Sequence, residues 1–560
     1  MEYCMSRHWF VSDRLYLSIV IPEKDGKEDI EKGICCYNGI TGRILELFGY
    51  AARVQPGLCG GGEEYFINKA SWVKHLPLDA GVNVNVKELF VFAEGLQATT
   101  LIDLVGRSME CILLNKIVQN SQKFNENIKE FPTTKNRIAN IADTAEKKQE
   151  VVEHARSTYK LMHKKTHGLI YGFLEMKQTQ GNDKEKALYK SMDLDSFINR
   201  LVTKRPLMFL GFTDNFILRS GGPQVIGGTK RFTCFDNIGT DEEGPVVSLE
   251  EYLSYEEMQI SALLSFMVPT HFINSGGRAN RGLPDPAGTY EEKGIYVAQV
   301  GARFEREGKM EWQHMVVTPQ QNTAENGYGG DRKENSSLEM WASLYRINYF
   351  PSHGEALEDK SGRYVPIKYI DLNNNEAEGF LDVLVYKLRM QVIVAPFLLQ
   401  AQRCGSSPER QVYVQATGIG LGSWALDEKS QTRCLLQAYL DIIKSSDLSH
   451  ISDINFSWID EKYAPEEMKN GSKIKDRDGH EIKIHFSQRT PADKLKGDDE
   501  GKLLYTNYAF DSNSYPGNEY WGGVKGGTAD PAAASCSTVA ELQNPLINPY
   551  LISNAVRFLP

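Results

Sequence analysis

Long apolar runs, paired cysteines and clustered histidines are all missing from this chain of 560 residues. No apolar run approaches the roughly 20 residues that a membrane-spanning helix needs. The best candidate, Val392 to Leu399, is short and contains Pro396. The N-terminus has no basic segment followed by an apolar stretch, so a secretory signal is not expected. We therefore expect no membrane partner.

The nine cysteines are scattered along the chain, and none forms a CxxC pair. We therefore expect no disulfide framework or structural zinc site, and a protein with reduced thiols in a cytoplasm. An effector injected into a host cytoplasm would show the same pattern. The histidines form no HExxH or HxH pair. No carboxylate spacing identifies an octahedral magnesium site, so the sequence predicts no metal or cofactor and leaves magnesium open.

Acidic residues outnumber basic ones, with 73 Asp and Glu against 63 Lys and Arg, which gives a formal net charge of −10. This balance argues against a nucleic-acid partner, because phosphate contacts need clustered Lys and Arg. Hydrophobic residues make up 41% of the chain and charged residues 24%, as in a typical soluble globular protein. The composition excludes a wholly disordered, collagenous or fibrous chain.

Two regions of the chain differ in character. Residues 1–200 carry no catalytic motif, so we interpret them as an accessory region. Apolar spacing predicts a strand at Leu15 to Ile21 and helices in the second half, as at Glu150 to Met176. In residues 201–560 short β-rich runs alternate with helical runs, which is typical of an α/β fold with a central sheet. Segments near 322–335 and 460–502, rich in Gly and Asn or in charge, predict solvated insertions.

Local patterns place individual elements in the second region. A helix is predicted over Leu253 to Phe266, with Ser254 as N-cap and Glu257 three residues on. A further helix is predicted over Gln431 to Ile443. The predicted strands are Leu207 to Phe212, Thr270 to Asn274, Gly294 to Val300, Gln391 to Pro396, Gln411 to Ala416, Ile451 to Ile459 and Leu503 to Phe510.

A run of alternating glycines follows the predicted strand Gln411 to Ala416. Glycine lets the backbone turn tightly and expose N–H groups, which, with the start of the next helix, suit an anion such as a diphosphate. The run is neither Walker A, since no Lys–Ser/Thr follows, nor the dinucleotide fingerprint, since Ser423 stands where a glycine is needed. A tight turn without a ligand is the other interpretation. The candidate ligand-binding residues are Thr417, Gly418, Ile419, Gly420, Leu421 and Gly422.

A second glycine loop follows the predicted strand Thr270 to Asn274. Two glycines after a strand let a ligand approach the backbone closely, which makes Asn274, Gly276 and Gly277 candidate ligand-binding residues. A hairpin-like turn explains the same residues equally well. The pair Glu291 and Glu292 fits solvated surface better than acid–base work.

A third segment, which follows the predicted strand Leu503 to Phe510, is rich in carboxylates and aromatic residues. Carboxylates beside large aromatics are partly desolvated, which raises a carboxyl pKa toward the range used in acid–base catalysis. The aromatic rings are candidates to wall a sugar or a base. The other interpretation is a structural turn in which Asp511 and Asn513 cap backbone groups. The candidate residues are Asp511, Asn513, Glu519, Tyr520, Trp521 and Asp530.

Together, the segments THFINSGG, VGARFE, QATGIGLG and YAFDSNSYPGNEYW, with the ADPAAAS that follows, resemble a known family. They are similar to the macrodomain-like fold of the poly(ADP-ribose) glycohydrolase branch and, more narrowly, to MavL-like ADP-ribosyl hydrolases. The resemblance covers Arg205 to Pro560. It implies a three-layer α/β/α sandwich with a mixed central sheet, and ADP-ribose with its diphosphate at the Thr417 loop. The glycohydrolase catalytic loop is matched only loosely, with Tyr290 where a glutamine is usual.

The resemblance also implies an activity, the removal of ADP-ribose from an arginine side chain of a modified protein, with ubiquitin as one candidate carrier. It implies that Asp511, Glu519 and Asp530 are the catalytic carboxylates, with Glu519 where an aspartate is usual. Our hypothesis is that Glu519 and Asp511 act on water and the distal ribose, while Asp530 orients the ribose or the guanidinium. One carboxylate activates water or stabilises the ribosyl cation, and another protonates the leaving group.

Two other functions stay open on the sequence alone. A non-catalytic ADP-ribose reader would share the fold and the pocket, and the fold does not decide between reader and enzyme. The three carboxylates favour the enzyme, whereas the residue at Glu519 and the loose match at Glu291 and Glu292 favour the reader. A structural or partner-binding protein with a degenerate pocket is the third alternative.

Overall fold

The computed structural model describes residues 15–20, 31–36, 98–126, 133–210, 215–221, 235–304, 306–371, 375–405, 410–422, 425–511, 513–523 and 529–560. The chain divides into two compact units, Met1–Leu113 and Leu114–Pro560. In the first unit, strands β1 (Leu15–Val20) and β2 (Glu31–Cys36) pair antiparallel, which confirms the strand predicted from Leu15. Helix α1 spans Ala98–Asn125.

The second unit alternates strands and helices along the chain. Its strands are β3 (Tyr159–His163), β4 (Met208–Leu210), β5 (Asn215–Ile217), β6 (Ser265–His271), β7 (Lys293–Gln299), β8 (Val316–Val317), β9 (Tyr364–Ile370), β10 (Glu376–Asp382), β11 (Val412–Thr417), β12 (Ile451–Ser457), β13 (Lys473–Lys475), β14 (Glu481–Ser487), β15 (Leu503–Ala509) and β16 (Arg557–Leu559). The helices after α1 are α2 (Ile138–Ile141), α3 (Ala145–Arg156), α4 (Thr166–Gln180), α5 (Asp183–Tyr189), α6 (Leu194–Thr203), α7 (Tyr255–Ser261), α8 (Trp312–Met315), α9 (Ser336–Tyr345), α10 (His353–Glu358), α11 (Val383–Cys404), α12 (Glu428–Ser445), α13 (Asn518–Trp521), α14 (Ala529–Cys536), α15 (Val539–Leu542) and α16 (Tyr550–Ser553).

A mixed sheet forms the centre of this unit, so the α/β class is confirmed. Among the described residues it has nine strands in the order β13–β14–β12–β11–β15–β7–β6–β3–β16. The five strands β14, β12, β11, β15 and β7 pair in parallel. Their carboxyl ends therefore meet at one side, which we call the carboxyl edge. Strand β6 runs antiparallel to β7, so its carboxyl end lies at the opposite side, the amino edge.

Helices cover both faces of the sheet. On one face, the rings of Phe397 in α11 and Tyr505 in β15 pack with centroids 4.9 Å apart, and Tyr439 in α12 meets Phe456 in β12 at 5.1 Å. On the other face, the hydroxyl of Thr538, at the start of α15, contacts that of Thr270 in β6 at 2.6 Å. Because the central strands are covered on both sides, they are buried along nearly their whole length, as parallel strands usually are.

The strand predicted over Gln391 to Pro396 is wrong, because this segment lies inside helix α11. A helix that is apolar on most sides hides its 3.6-residue period, and a short β-branched run then looks like a buried strand. Pro396 is accommodated inside the helix. By length and composition α11 could cross a membrane, but most of it is buried between the sheet and neighbouring helices, as in the core helix of a globular protein.

Two predicted helices are shorter than the pattern indicated. The helical region predicted over Glu150 to Met176 is interrupted by a strand. Helix α3 ends at Arg156, β3 follows, and α4 begins after it. The helix predicted from Leu253 is confined to α7, although its capping box of Ser254 and Glu257 is confirmed. Strand β6 begins at Ser265, so it includes the end of the predicted helix and the first residues of the strand predicted over Thr270 to Asn274, because the sheet supplies partners for this apolar run.

The limits of the predicted regions also differ from the structure. The compact second unit begins at Leu114, earlier than the boundary expected at 201, and β3 belongs to the central sheet. The expected excursion at 460–502 contains β14, which pairs with β12 in that sheet. Its charges alternate with Ile482 and Ile484, which are buried, so the strand is charged on one side only.

Candidate active site

Three loops leave the carboxyl edge of the sheet from neighbouring strands. Strand β11 pairs with β12 on one side and with β15 on the other. The residues that follow these strands are Trp458 after β12, the glycine run that begins at Thr417 after β11, and Asp511 after β15. Ligands of open α/β sheets bind at this edge of the strands. The topology therefore places the first and third sequence candidates beside each other.

The glycine run begins on a buried hydrogen-bond network. Asn507 in β15 accepts hydrogen bonds through Oδ1 from the backbone N–H of Thr417 (2.8 Å) and from its hydroxyl (3.2 Å). Its Nδ2 donates to Oε1 of Gln299 at 2.8 Å, and Nε2 of Gln299 donates to the carbonyl of Ile393 in α11 at 3.2 Å. Asn507 and Gln299 are fully buried. The network fixes the point at which the loop leaves the sheet.

A close approach of two backbones fixes the middle of the glycine run. A Cβ on Gly301, in the loop after β7, would lie 2.2 Å from the Cα and N of Gly420. Gly420 and Gly422 both have a φ of +73°, which favours glycine. Ile419 is buried, whereas Gly422 is exposed. These glycines are therefore required by backbone conformation and by proximity, whether or not a ligand binds.

The start of helix α12 differs from the expectation for an anion site. The helix begins at Glu428, several residues after the glycine run. The Asp427 carboxylate accepts from Ser430 N–H at 2.8 Å, and Oε1 of Gln431 accepts from the N–H groups of Leu426 (2.6 Å) and Asp427 (2.9 Å). Since the chain itself uses these donors, any anion bound here would rely on the N–H groups of the glycine run.

The third segment forms a tight acidic turn around Asn518. Both aspartates of the predicted triad hold this residue. Oδ2 of Asp511 accepts a short hydrogen bond from the side-chain amide of Asn518, and Oδ2 of Asp530 accepts from its backbone N–H at 3.2 Å. Oδ1 of Asp530 also accepts from Gly517 N–H at 2.6 Å. Oδ1 of Asn518 in turn accepts from the N–H of Glu519 at 2.7 Å. The turn thus fixes the backbone from which Glu519 projects.

The three carboxyl groups interact electrostatically. Burial raises the pKa of Asp530 well above its ordinary value, and the negative charges of Asp511 and Glu519 raise it further. The N–H groups of Gly517 and Asn518 oppose this shift by stabilising the carboxylate. Asp511 and Glu519 are partly exposed, whereas Asp530 is buried. A buried carboxyl group of raised pKa beside more exposed carboxyl groups is an arrangement found in acid–base sites.

The structural interpretation of Asp511 also has support. Its Oδ1 accepts from the N–H groups of Asn513 (2.8 Å) and Ser514 (2.9 Å), as in an Asx turn. The Ser514 hydroxyl contacts both carboxylate oxygens. Asn513 is buried within this turn. Asp511 therefore shapes its own loop and also interacts with the buried Asp530.

The prediction that Tyr520 and Trp521 wall a sugar or a base is not supported by the geometry. Both rings are buried, with 0% and 1% of their surface exposed. The Tyr520 hydroxyl donates to the carbonyl of Thr133 at 2.8 Å, and Trp521 packs edge-on against Phe124 with centroids 4.9 Å apart. The two aromatic residues anchor helix α13, and through it Glu519, to the body of the unit.

The second glycine loop leaves the sheet at the amino edge, because β6 is antiparallel to its neighbours. The side chain of Asn274 accepts from Gly276 N–H at 2.9 Å and donates to the carbonyl of Leu283 at 2.8 Å, so its polar atoms serve its own loop. Gly276 packs against Pro491, and Gly277 lies near Thr490. The same loop also reaches helix α14, because Nδ2 of Asn280 donates to the carbonyl of Ala532, two residues after Asp530, at 2.9 Å. Contact of Asn274, Gly276 and Gly277 with a ligand stays a prediction.

Four contributors to this region were not identified from the sequence. Asn507 and Gln299 hold the glycine run, Asn518 links the aspartates, and Trp458 lies on the neighbouring strand end. Trp458 is 66% exposed and has a φ of +59°, a region that bulky residues rarely adopt. Its exposure and conformation mark it as a functional candidate. Within the described ranges, no group of three His, Cys, Asp or Glu residues is placed to hold a metal ion.

The fold and site define a class, an α/β protein with a glycine run and an acidic turn side by side at the carboxyl edge of its sheet. The chain belongs to the MavL-like ADP-ribosylhydrolase family, whose description is "ADP-ribosylhydrolase MavL-like" and whose model matches residues 115–558. This range nearly coincides with the second compact unit. The family resemblance read from the sequence motifs is therefore confirmed.

Two relatives from Drosophila melanogaster are similar over most of their length. The chain is 34% identical over 410 residues to the protein named ADP-ribosylarginine hydrolase CG2909, an alignment that covers 71% of this chain and 77% of the relative. It is 33% identical over 430 residues to ADP-ribosylarginine hydrolase CG3568, covering 74% of this chain and 80% of the relative.

Proposed function

We propose that this protein hydrolyses the bond between ADP-ribose and an arginine side chain of a modified protein. The observation that carries the proposal is that Asp511 and Asp530 both accept hydrogen bonds from Asn518. These bonds fix the residue before Glu519, so that Glu519 lies beside two other carboxyl groups. Family membership supports a hydrolase, and the names of the two relatives support arginine as the modified residue.

In the reaction, water adds to C1″ of the distal ribose while the bond from C1″ to the guanidine nitrogen breaks through an oxocarbenium-like transition state. We assign Glu519 to take a proton from the water as its oxygen adds to C1″. The proton then passes to the departing guanidine nitrogen, so that ADP-ribose and arginine are the products. The negative charge of Asp511 stabilises the developing ribosyl cation.

We assign Asp530 a positioning role rather than the orienting role of the hypothesis drawn from the sequence. It is buried, and each of its oxygens accepts a backbone hydrogen bond, from Gly517 and from Asn518. These contacts favour a positioning role, in which Asp530 holds the turn that carries Glu519. Direct orientation of the ribose or guanidinium by Asp530 stays a prediction.

The order of groups along the carboxyl edge supports ADP-ribose as the ligand. The acidic turn follows β15, the glycine run follows the adjacent β11, and the exposed ring of Trp458 follows the next strand, β12. The scissile bond, diphosphate and adenine follow one another in the same order in ADP-ribose. Adjacent strands lie about 5 Å apart, so the three positions are within reach of one extended ligand. This arrangement, with helices on both faces, supports a macrodomain-like three-layer sandwich.

A non-catalytic ADP-ribose reader is the second candidate. The observation that favours it is the number of hydrogen bonds that Asp511 and Asp530 already accept within their own turn. A site whose carboxylates only shape loops would bind ADP-ribose without turning it over. The two candidates share the ligand and differ in the chemistry assigned to Glu519.

The substitution Glu519→Gln tests the proposal. It keeps the size and polarity of the side chain but removes its ability to accept a proton, so turnover of ADP-ribosylated arginine should fall about 10²–10⁴-fold. Binding of free ADP-ribose, measured by calorimetry with AMP as a comparison, should change little. Glu292→Gln, at an exposed glutamate outside the carboxyl edge, is the matched control and should leave both quantities unchanged.

Three outcomes separate the candidates. Loss of turnover with retained binding supports the hydrolase. A wild-type protein that binds ADP-ribose but does not release it from arginine would identify a reader. No binding at millimolar ADP-ribose would contradict both. We further propose that the protein acts in a cytoplasm. Ubiquitin is one candidate carrier of the modification, and comparing turnover of ADP-ribosylated ubiquitin with that of an ADP-ribosylated arginine peptide tests it.

A further inference from the structure

A buried arginine contacts the loop that carries Asp511, although no motif pointed to it. Arg205 follows helix α6 and has no exposed surface. Its Nε donates to the carbonyl of Leu201 in the last turn of that helix at 2.7 Å, and its Nη1 donates to the carbonyl of Ser514 at 3.1 Å. Its guanidinium also lies over the ring of Phe266, 5.2 Å from the centroid.

The charge of Arg205 interacts with the acidic turn. Burial lowers the pKa of Arg205 to about 10, while the charge of Asp511 and the nearby Tyr515 raise it. The side chain is therefore cationic at neutral pH. A buried cation is costly unless nearby anions favour it, and here the favouring negative charge is that of Asp511, which accepts from Ser514 while Arg205 donates to the Ser514 carbonyl. Nη2 of Arg205 is also buried and has no hydrogen-bond partner among the described residues.

A second link joins the same two segments without a charge. The hydroxyl of Tyr515 donates to the carbonyl of Thr203 at 2.8 Å. The loop after β15 is thus attached to the end of α6 at two adjacent residues, Ser514 and Tyr515. One attachment carries a positive charge and the other does not, so their effects can be separated by experiment.

We propose that Arg205 is a positioning residue of the hydrolase site, which holds the Ser514 carbonyl and supplies the counter-charge that lets Asp511 stay anionic beside Glu519 and Asp530. The inference rests on the proposed hydrolase function. Among the described residues, the negative charge of Asp511 is disfavoured by the neighbouring carboxyl groups and favoured by Arg205. Removing a neighbouring cation of this kind typically raises the pKa of a carboxyl group by one to three units.

The test is the pH dependence of kcat/KM for an ADP-ribosylated arginine peptide, measured with the full chain. Arg205→Gln retains a side-chain amide that can donate to Ser514 but lacks the charge. It should lower kcat/KM at least tenfold at pH 6 and move the acidic limb of the profile upward by about one pH unit or more. The Kd for ADP-ribose at pH 8 should stay within about twofold, as expected when the altered group titrates well below that pH.

Two further variants distinguish a charge effect from a loss of structure. Tyr515→Phe removes the uncharged link between the same segments and should lower the thermal unfolding midpoint without moving the acidic limb. Arg205→Lys keeps a positive charge but loses the planar guanidinium group with its several N–H donors. It should therefore lower kcat and leave the acidic limb of the pH profile near its wild-type position. If Arg205→Gln does not fold, the Arg205→Lys profile decides, and an upward shift of its acidic limb contradicts the proposal.

Failure of this inference is distinguishable from failure of the proposed function. A wild-type protein without turnover overturns the hydrolase and, with it, the role of Arg205. A wild-type protein with turnover, combined with an Arg205→Gln profile that is lower at every pH but not shifted, overturns only the role of Arg205. A shifted profile that Arg205→Lys restores supports the proposal.

Discussion

The two glycine loops of this protein look alike in sequence but differ in how the structure holds them. Each follows a buried strand and contains a glycine with a positive φ, Gly276 in one and Gly420 in the other. The loop after β6 is closed by its own side chain, since Asn274 bonds within its loop. The loop after β11 is held from outside, by Asn507 of the neighbouring strand.

Strand direction explains the difference. Strand β11 is parallel to its two neighbours, so its loop emerges beside the loops that follow β12 and β15. Strand β6 is antiparallel to β7, so its loop leaves the sheet at the opposite edge and is hydrogen-bonded there to Ala492 and to helix α14. The loop after β11 lies instead among the loops of parallel neighbours, which is where ligands of open α/β sheets bind.

The largest effect on the glycine run is expected from Gly301→Ala. The added Cβ would lie 2.2 Å from backbone atoms of Gly420, and backbone cannot move aside as a flexible side chain can. Displacement of the run by about 1 Å should weaken ADP-ribose binding and turnover about hundredfold. Calorimetry with ADP-ribose and the kcat/KM for an ADP-ribosylated arginine peptide measure this effect.

Gly277→Ala in the other loop is the matched control for that substitution. Its Cβ would lie 3.7 Å from the Thr490 side chain, an ordinary van der Waals contact, and Gly277 does not have a positive φ. We expect little change in ADP-ribose affinity. Equal loss of binding in the two variants would show that both loops contact the ligand and would contradict the distinction drawn between them.

A smaller effect is expected from Asn507→Ala, which leaves the loop in place but removes the side chain that holds it. The N–H of Thr417 and Oε1 of Gln299 would lose a buried partner, which costs about 1–3 kcal/mol for each group. The free energy of unfolding should fall accordingly, and ADP-ribose binding should weaken about tenfold. An unchanged Kd in a destabilised protein would show that the network supports the core rather than the site.

The sequence predicted more of the fold than of the site because the two depend on different information. Strands β7, β11, β12 and β15 were recognised from apolar runs, and the glycine run and the acidic residues from local spacing. The roles of Asn507, Gln299 and Asn518 depend on which strands are neighbours and in what register, which no local pattern contains. Asn507 could nevertheless have been noticed, because it is a polar residue within the largely apolar strand sequence LLYTNYA.

The acidic segment also shows what a local sequence pattern cannot predict. Local spacing found Asp511, Glu519 and Asp530, and the structure brings them together. The same reasoning expected Tyr520 and Trp521 to face a ligand, because large aromatics near carboxylates often wall a sugar site. Both face the interior instead, since the first turn of α13 can present only one side to the acidic residues. Residue type was predictable here, whereas side-chain direction was not.

The smallest effect on function is expected from Asn274→Ala, which breaks the self-contained loop. Gly276 N–H and the carbonyl of Leu283 would lose their partner, so the free energy of unfolding should fall by about 1–2 kcal/mol. Affinity for ADP-ribose and kcat/KM, measured well below the unfolding transition, should match the wild-type values. Compared with Asn507→Ala, this variant loses a similar number of buried hydrogen bonds at the other edge of the sheet. A loss of affinity equal to that of Asn507→Ala would place the amino-edge loop in the ligand site, whereas a loss of stability alone confines the site to the carboxyl edge.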